Sequence, residues 1–209
     1  VELLDKCLES IRNIYQDHQI IIVDSNSPKK DHFPGLCERY NAHVAYKVNT
    51  NYECGAWKIV YEECKADFYC CIHDSCYLVR PLDTTFDDEV SSYTVVDNTP
   101  KGWFGECAGL RKATWESLVK TKWEVPEQFW TMVGNIIFAK VKIFDLLYNN
   151  GFFDILPTNK FEACCWERRI GLCLTCEGYG DMLVKNQIGA WQDNRPADRK
   201  VFKKWLNRQ

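Results

Sequence analysis

The chain has 209 residues, 46% of them apolar and 14% aromatic, enough to build a buried core in one large domain or two small ones. Its formal charge is -3 with acids and bases interspersed, which excludes the broad positive field of a duplex nucleic-acid binder. No stretch approaches the roughly 20 apolar residues of a membrane helix, and no basic-then-apolar signal segment opens the chain, so a protein of the cytoplasm is expected.

From Glu2 to Tyr15, the residues Leu4, Cys7, Leu8, Ile11, Ile14 and Tyr15 recur at helical spacing and predict an amphipathic helix. "QIIIV" (19–23) is a short β-branched run with no polar face, the pattern of a strand buried on both sides. The polar "DSNSPKKD" (24–31), punctuated by Pro28, is the loop at its carboxyl end. A helix near 33–40, a strand "HVAYK" (43–47), a helix over about 55–64 and a strand "FYCCI" (68–72) continue the alternation. Strands alternating with helices imply right-handed crossovers and a mostly parallel sheet, with ligands expected beyond the carboxyl ends of the strands. Asp24 and Asp74 both lie at such ends.

Beyond Pro81 a strand is predicted at "SSYTVV" (91–96). "GECAGLRKATWESL" (105–118) and "GNIIFAKVKIFDLL" (134–147) each run from a glycine through an apolar strand into a helix. A helix over about 160–170, a strand "LCLTC" (172–176), a polar loop around 178–181 and a C-terminal amphipathic helix in "DRKVFKKWLNR" (198–208) follow. No low-complexity linker interrupts the chain, so a single domain is expected.

The twelve cysteines sit in apolar periodic segments and read as reduced core thiols. Cys173 and Cys176 form a CxxC, and Cys70, Cys71, His73 and Cys76 cluster, but neither group has the second ligand pair and holding loop of a zinc site.

A carboxylate following a buried strand is costly to keep charged in the core. At the open strand end, Asp74 can instead hold a hydrated Mg2+ or Mn2+, cations that take oxygen ligands and bridge to phosphates. An equally simple reading makes Asp74 the cap of a turn. Asp24, followed by the short polar side chains of Ser25, Asn26 and Ser27, favours the ligand-binding reading, because those groups can hydrogen-bond a base and a ribose.

The segments "LLDKCLESIRNIYQDHQIIIVDSNSPKKD" and "NTNYECGAWKIVYEECKADFYCCIHDS" resemble the nucleotide-sugar half of GT-A fold glycosyltransferases, above all the large inverting family two, over roughly residues 3–80. Size and cysteine content also resemble capsid-glycan glycosyltransferase domains encoded by chlorella viruses. The resemblance implies an α/β, Rossmann-like GT-A fold. It would be one domain over 1–209, with the donor half at about 1–80 and the acceptor half and C-terminal helix at about 81–209. It further implies Asp24 at the nucleobase and Ser25, Asn26 and Ser27 at the nucleoside. Asn51, Gly55 and Lys58 would lie along the donor, with Lys58 offsetting pyrophosphate charge. Asp74, flanked by His73 and Ser75 on the donor side, would hold Mn2+ or Mg2+.

Three departures from the family pattern stand out. The first strand of such enzymes is not in the sequence, so either the sheet lacks it or the chain is part of a longer polypeptide with further domains. The family's Asp-x-Asp is His73-Asp74-Ser75, a single carboxylate. No histidine follows His73, which reads as a hydrogen-bonding neighbour of the metal and not as a ligand.

An inverting transferase needs a carboxylate to deprotonate the acceptor hydroxyl. On a helix through "FEACCWERRIG" (161–171), Glu162, Trp166 and Arg169 share a face while Phe161, Cys164 and Cys165 face the core. That makes Glu162 the expected base and Trp166 a sugar platform. Glu167 is an alternative base, and an exposed Glu–Arg ion-pair face is the plain structural reading. Trp103 and Glu106 in "GWFGECAG" (102–109) would floor the acceptor site. Without a base, the leaving phosphate itself would take the proton and the anomeric configuration would be retained. The expected activity is transfer of a hexose from a UDP-sugar to a glycan or glycoprotein. The rivals are a non-catalytic glycan-binding or assembly module and a sugar-phosphate nucleotidyltransferase, although the latter's Gly-rich basic opening loop is missing.

Overall fold

The computed structural model describes residues 2–81, 89–97, 126, 128–187 and 202–204. Helix α1 (Glu2–Ile14) carries Glu2 and Asp5 in its first turn and Arg12 in its last, matching the helix dipole at both ends. Strand β1 (Ile20–Ile22) pairs in parallel with β2 (Ala42–Val44), Ile20 opposite Ala42, with α2 (Phe33–Tyr40) as the crossover. Arg12 fastens α1 to the end of this crossover, its Nε donating to the Tyr40 carbonyl at 2.9 Å and its Nη2 to the same oxygen at 2.6 Å.

Helix α3 (Tyr52–Glu63) leads into β3 (Phe68–Cys71), a tight turn and β4 (Cys76–Leu78). Strands β5 (Val90–Asp97) and β6 (Trp130–Lys140) follow, then α4 (Val141–Asn149) and a short 3-10 turn at Phe152–Asp154. Helices α5 (Lys160–Cys176) and α6 (Gly180–Lys185) come next, and β7 (Phe202–Lys204) lies antiparallel to β4.

The arrangement is mixed α/β, but among the described residues the parallel pairing expected from the alternation is met only at β1 and β2. The three-stranded sheet has the order β3-β6-β5 and is antiparallel throughout. The reason is visible in β3, whose apolar letters conceal an alternation: Phe68 and Cys70 are exposed and Tyr69 is buried. One solvated face is what an antiparallel pairing tolerates and a covered parallel strand does not. Phe68 lies diagonally across from Phe138 of β6, the two rings stacked nearly parallel with centroids 5.5 Å apart.

The end of the chain differs from expectation in three places. The run "LCLTC" is not a strand; it completes α5, which continues unbroken from Lys160 to Cys176 with Leu172, Cys173 and Leu174 all buried. A short apolar run reads alike as a buried strand or a buried helical turn. The polar stretch around 178–181 opens the short helix α6. Residues 202–204 of the expected terminal helix form β7. Residues 105–118 lie outside the described residues, so the strand-to-helix device is seen only in its second copy, where β6 runs directly into α4.

Helix α5 lies flush on β6. A Cβ at Gly171 would sit 1.7 Å from the Trp130 carbonyl oxygen, so only glycine permits this approach. The main core, containing Trp57, Tyr69, Ile137, Phe144, Phe152, Trp166 and Ile170, fills the space between β6 and helices α3, α4 and α5. A separate cluster packs Leu8, Phe33 and Leu36 on Ile20 and Ile22. Every described cysteine is a free thiol, and no trio of His, Cys, Asp or Glu among the described residues is placed to hold a metal. Cys173 and Cys176 of the CxxC lie in one helix, the first buried and the second exposed. No helix among the described residues is long and apolar enough to cross a membrane.

Candidate functional site

At the carboxyl end of β1 the chain turns sharply, with Asn26 in the left-handed region at φ 61°. Asp24 is only 6% exposed. Its Oδ1 accepts from the Ser27 backbone N–H at 2.9 Å, and its Oδ2 lies 2.8 Å from the Lys30 ammonium. Burial alone would raise the carboxyl pKa, but the hydrogen bonds from Lys30 and Ser27 outweigh it and hold the group below the ordinary range. Asp24 is therefore a preformed, charged acceptor at the strand end.

Asn49 joins this turn to the start of α3. Its backbone N–H donates to the Asp24 carbonyl at 2.9 Å, and its Nδ2 donates to Ser25 Oγ at 2.8 Å and to the Tyr52 carbonyl. Its Oδ1 accepts from the Asn51 N–H at 2.9 Å. A Cβ at Gly55 would fall 2.2 Å from that Oδ1, so the glycine exists to let Asn49 in. The sequence signal marked Asn51 and Gly55 but missed Asn49, the buried residue that both serve. Tyr52, the first residue of α3, takes φ 54°, a conformation costly for a bulky side chain.

The same first turn of α3 reaches the end of β3. Glu53 Oε1 lies 3.8 Å from His73 Nε2. Cys76 N–H donates to the His73 carbonyl at 3.0 Å, closing a turn in which Asp74 is exposed and Ser75 is fully buried. Ser75 thus serves the interior of the turn and does not present a hydroxyl to a donor. The start of α3 comes near both strand ends: Asn49, ahead of the cap, bonds the Asp24 turn, and Glu53 in the first helical turn lies 3.8 Å from His73.

Two other expected donor contacts are committed elsewhere. Asn51 Nδ2 donates to the Pro157 carbonyl at 3.1 Å, tying α3 to the loop before α5. Lys58 is not brought to the strand ends: its ammonium lies 3.4 Å from the Phe153 carbonyl and 4.0 Å from Glu62. Its position gives no support to the pyrophosphate role.

Helix α5 supplies the acids of the second half. Asn159 caps it, accepting from the Glu162 N–H at 3.0 Å, while Glu162 Oε2 accepts from the Thr158 N–H at 2.7 Å and its hydroxyl at 2.8 Å. These bonds hold the Glu162 carboxyl below its ordinary pKa, and its work is that of a reciprocal cap. Glu167 is different. It is partly buried, its Oε1 accepts from the Gly134 N–H at 3.0 Å, and desolvation pushes its carboxyl up, with Glu53 adding in the same direction. Gly134 and Asn135 are consecutive left-handed residues, at φ 83° and 47°, that kink β6 toward this carboxylate. Glycine and asparagine are the residues that tolerate such a kink.

Trp166 is not a sugar platform. It is 2% exposed, set edge-on against Phe152 with centroids 4.6 Å apart. The ion-pair face also fails, because Arg168 and Arg169 are buried; Arg169 packs its guanidinium 4.7 Å from the Trp166 ring and donates to the Ile155 carbonyl at 3.1 Å. Phe161, expected inside, is half exposed. Trp103 and Glu106 lie outside the described residues.

Comparison with curated proteins finds no match, and comparison with solved structures finds none. A family model does match, over part of the chain, and it carries no information on source, donor or acceptor. Residues 1–80, the stretch that supplies Asp24, Asn49, Gly55 and Asp74, match the model described as Glycosyl transferase family 2, so this part of the chain is similar to a glycosyltransferase domain.

Proposed function

We propose that the protein is a glycosyltransferase that moves a hexose from a UDP-sugar to a glycan or glycoprotein acceptor. The observation that carries this reading is the Asp24 turn, a buried charged acceptor locked by Asn49 to the helix start that also meets His73. In this reading Asp24 accepts a hydrogen bond from the nucleobase, and Ser25, exposed beside it, contacts the nucleoside. Asp74, exposed on the turn that follows β3, would contact the diphosphate.

A divalent cation fits this site only in part. The described residues bring one carboxylate, Asp74, and no trio of ligands, so Mn2+ or Mg2+ would take its remaining oxygens from the diphosphate and from water. When bound, such an ion would offset the charge developing on the leaving diphosphate.

Of the two acids on α5, Glu167 is the base in this reading. A carboxylate whose proton affinity is raised by desolvation takes the acceptor hydroxyl's proton more readily than one stabilised as an anion, which is the condition of Glu162. The Gly134 N–H fixes its orientation. This assignment corresponds to an inverting outcome.

The single carboxylate at the β3 turn also favours one second reading, a glycan-binding module that has kept the fold without catalysis. Melting curves with UDP, with and without Mn2+, separate the two. An intact donor site raises Tm by mass action and the metal enlarges the shift, while Asp74→Ala removes the metal-dependent part only. No shift with any nucleotide would exclude the donor site. Hydrolysis of UDP-sugar without acceptor, lost in Glu167→Gln, would exclude the non-catalytic module.

A further inference from the structure

The start of α3 is tied closely to α5. Asn51 Nδ2 donates to the Pro157 carbonyl at 3.1 Å, the Lys160 ammonium lies 5.9 Å from the centre of the Tyr52 ring, and Cys54 and Trp57 share one buried cluster with Trp166, Ile170 and Cys173. Tyr52 takes φ 54° directly ahead of Glu53. A bulky residue holds this conformation only where its surroundings impose it, and here it fixes the direction in which the helix, and Glu53 with it, sets out. Glu53 has His73 on one side, at 3.8 Å, and on the other acts through its charge on Glu167. Buried Cys54, the next residue, feels both carboxylates.

Glu167 is flanked by groups that pull in both directions. Desolvation, the largest influence, favours its protonated form; the Gly134 N–H, Arg168 and Lys160 oppose this, and Glu53 acts with desolvation. Arg168 and Lys160 belong to the helix of Glu167 itself, Glu53 and Cys54 act from α3, and Gly134 bonds it from β6. We propose that Glu53 is a positioning residue for the proton transfer, a second carboxylate that answers the two cations near Glu167 and keeps that base disposed to take the acceptor's proton. The inference rests on the transferase reading with Glu167 as base, and deepens it by naming what tunes the base. A carboxylate beside cations alone is a settled anion and a poor proton acceptor, whereas a neighbouring anion makes the arrival of a proton favourable, since it relieves a repulsion. In the step itself the acceptor oxygen bonds the anomeric carbon while its O–H breaks, the bond from that carbon to the diphosphate breaks with its electron pair leaving on UDP, and the proton ends on Glu167.

The test is a double-mutant cycle in the full chain, Glu53→Gln and Glu167→Gln singly and together, read by urea unfolding at about pH 8 and about pH 4. At the higher pH, Glu53→Gln should favour the folded state about threefold more in the presence of Glu167 than in Glu167→Gln. At the lower pH, with Glu167 protonated, that difference should vanish. Glu53→Asp, which keeps the charge, should keep the coupling. In hydrolysis of UDP-glucose or UDP-galactose, Glu53→Gln should move the acid limb of the rate profile to lower pH by about half a unit, while Glu53→Asp leaves it in place. Absence of coupling at the higher pH, coupling that persists at the lower, or an acid limb that does not move each overturns the proposal and leaves the transferase reading standing. If the coupling is found but hydrolysis of neither sugar nucleotide depends on Glu167, the base assignment falls and the proposal with it.

Discussion

An aspartate follows the end of β1 and another the end of β3, and the fold treats the two in opposite ways. Asp24 is buried, charged and held by a backbone N–H and an ammonium, and its carbonyl is tied to Asn49. Asp74 is exposed on a turn closed by its neighbours' backbone. A group that must recognise a flat ring gains from being fixed beforehand. A group that must share a hydrated cation gains from keeping its side chain in water. The contrast divides the proposed labour between recognition and charge neutralisation.

The strongest way to break this contrast is Gly55→Ala. The new Cβ would lie 2.2 Å from Asn49 Oδ1 and 2.7 Å from Asn51 Cβ, so Asn49 must leave its place. A loss of about 3 kcal/mol in urea unfolding is expected, together with loss of UDP binding. Retained stability would mean that Asn49 is not the junction described.

Asp24→Ala comes next. It strips the Ser27 N–H of its acceptor, at a cost of about 1–3 kcal/mol. Because the folded-state pKa of Asp24 is depressed, its contribution is present above the unfolded carboxylate value of about 4 and is lost as pH falls through the folded value. The difference between wild type and variant should therefore shrink in acid, which melting curves across pH 2–6, a range chosen to span roughly the carboxylate values, would register.

Glu167 should respond with the opposite sign. Its folded-state pKa is raised, so its stabilising effect is complete below about 4.3 and disappears as pH rises through the folded value. Glu167→Gln still offers Gly134 an oxygen, and relative to wild type it should gain stability between acid and neutral pH, on the order of 1 kcal/mol. A pH-independent difference would place the Glu167 carboxylate in solvent.

Asp74→Ala is the smallest expected change. An exposed turn position should cost no more than about 0.5 kcal/mol, and a larger loss would show that the turn itself depends on this side chain.

Much of the first half was legible. Helical spacing located α1, the β-branched run located β1, and the end of each predicted strand correctly identified where Asp24 and Asp74 emerge. What periodicity could not carry was the pairing partner of a strand. β3 reads as apolar, yet its alternation of burial appears only once β6 is beside it. The site shows the same limit. Gly55 and Asn51 stand out by residue type, but Asn49 matters because of four hydrogen bonds that converge in space, and Lys30 because it folds back on Asp24. Lys58 shares a helix face with Glu62 and meets the 152–154 turn instead of the strand ends, a matter of helical phase that the motif concealed. Glu162 and Glu167 lie five residues apart on one helix, and only the cap at Asn159 and the kink at Gly134 show which is anchored as an anion and which is not.

The meeting of Gly171 with the Trp130 carbonyl has a mechanical consequence. A helix notched into a strand at one point cannot slide along it, because a shift of even one residue would drive a side chain into the carbonyl. Helix α5 is therefore registered on β6, and any relative movement within the fold has to be made by other segments than this pair.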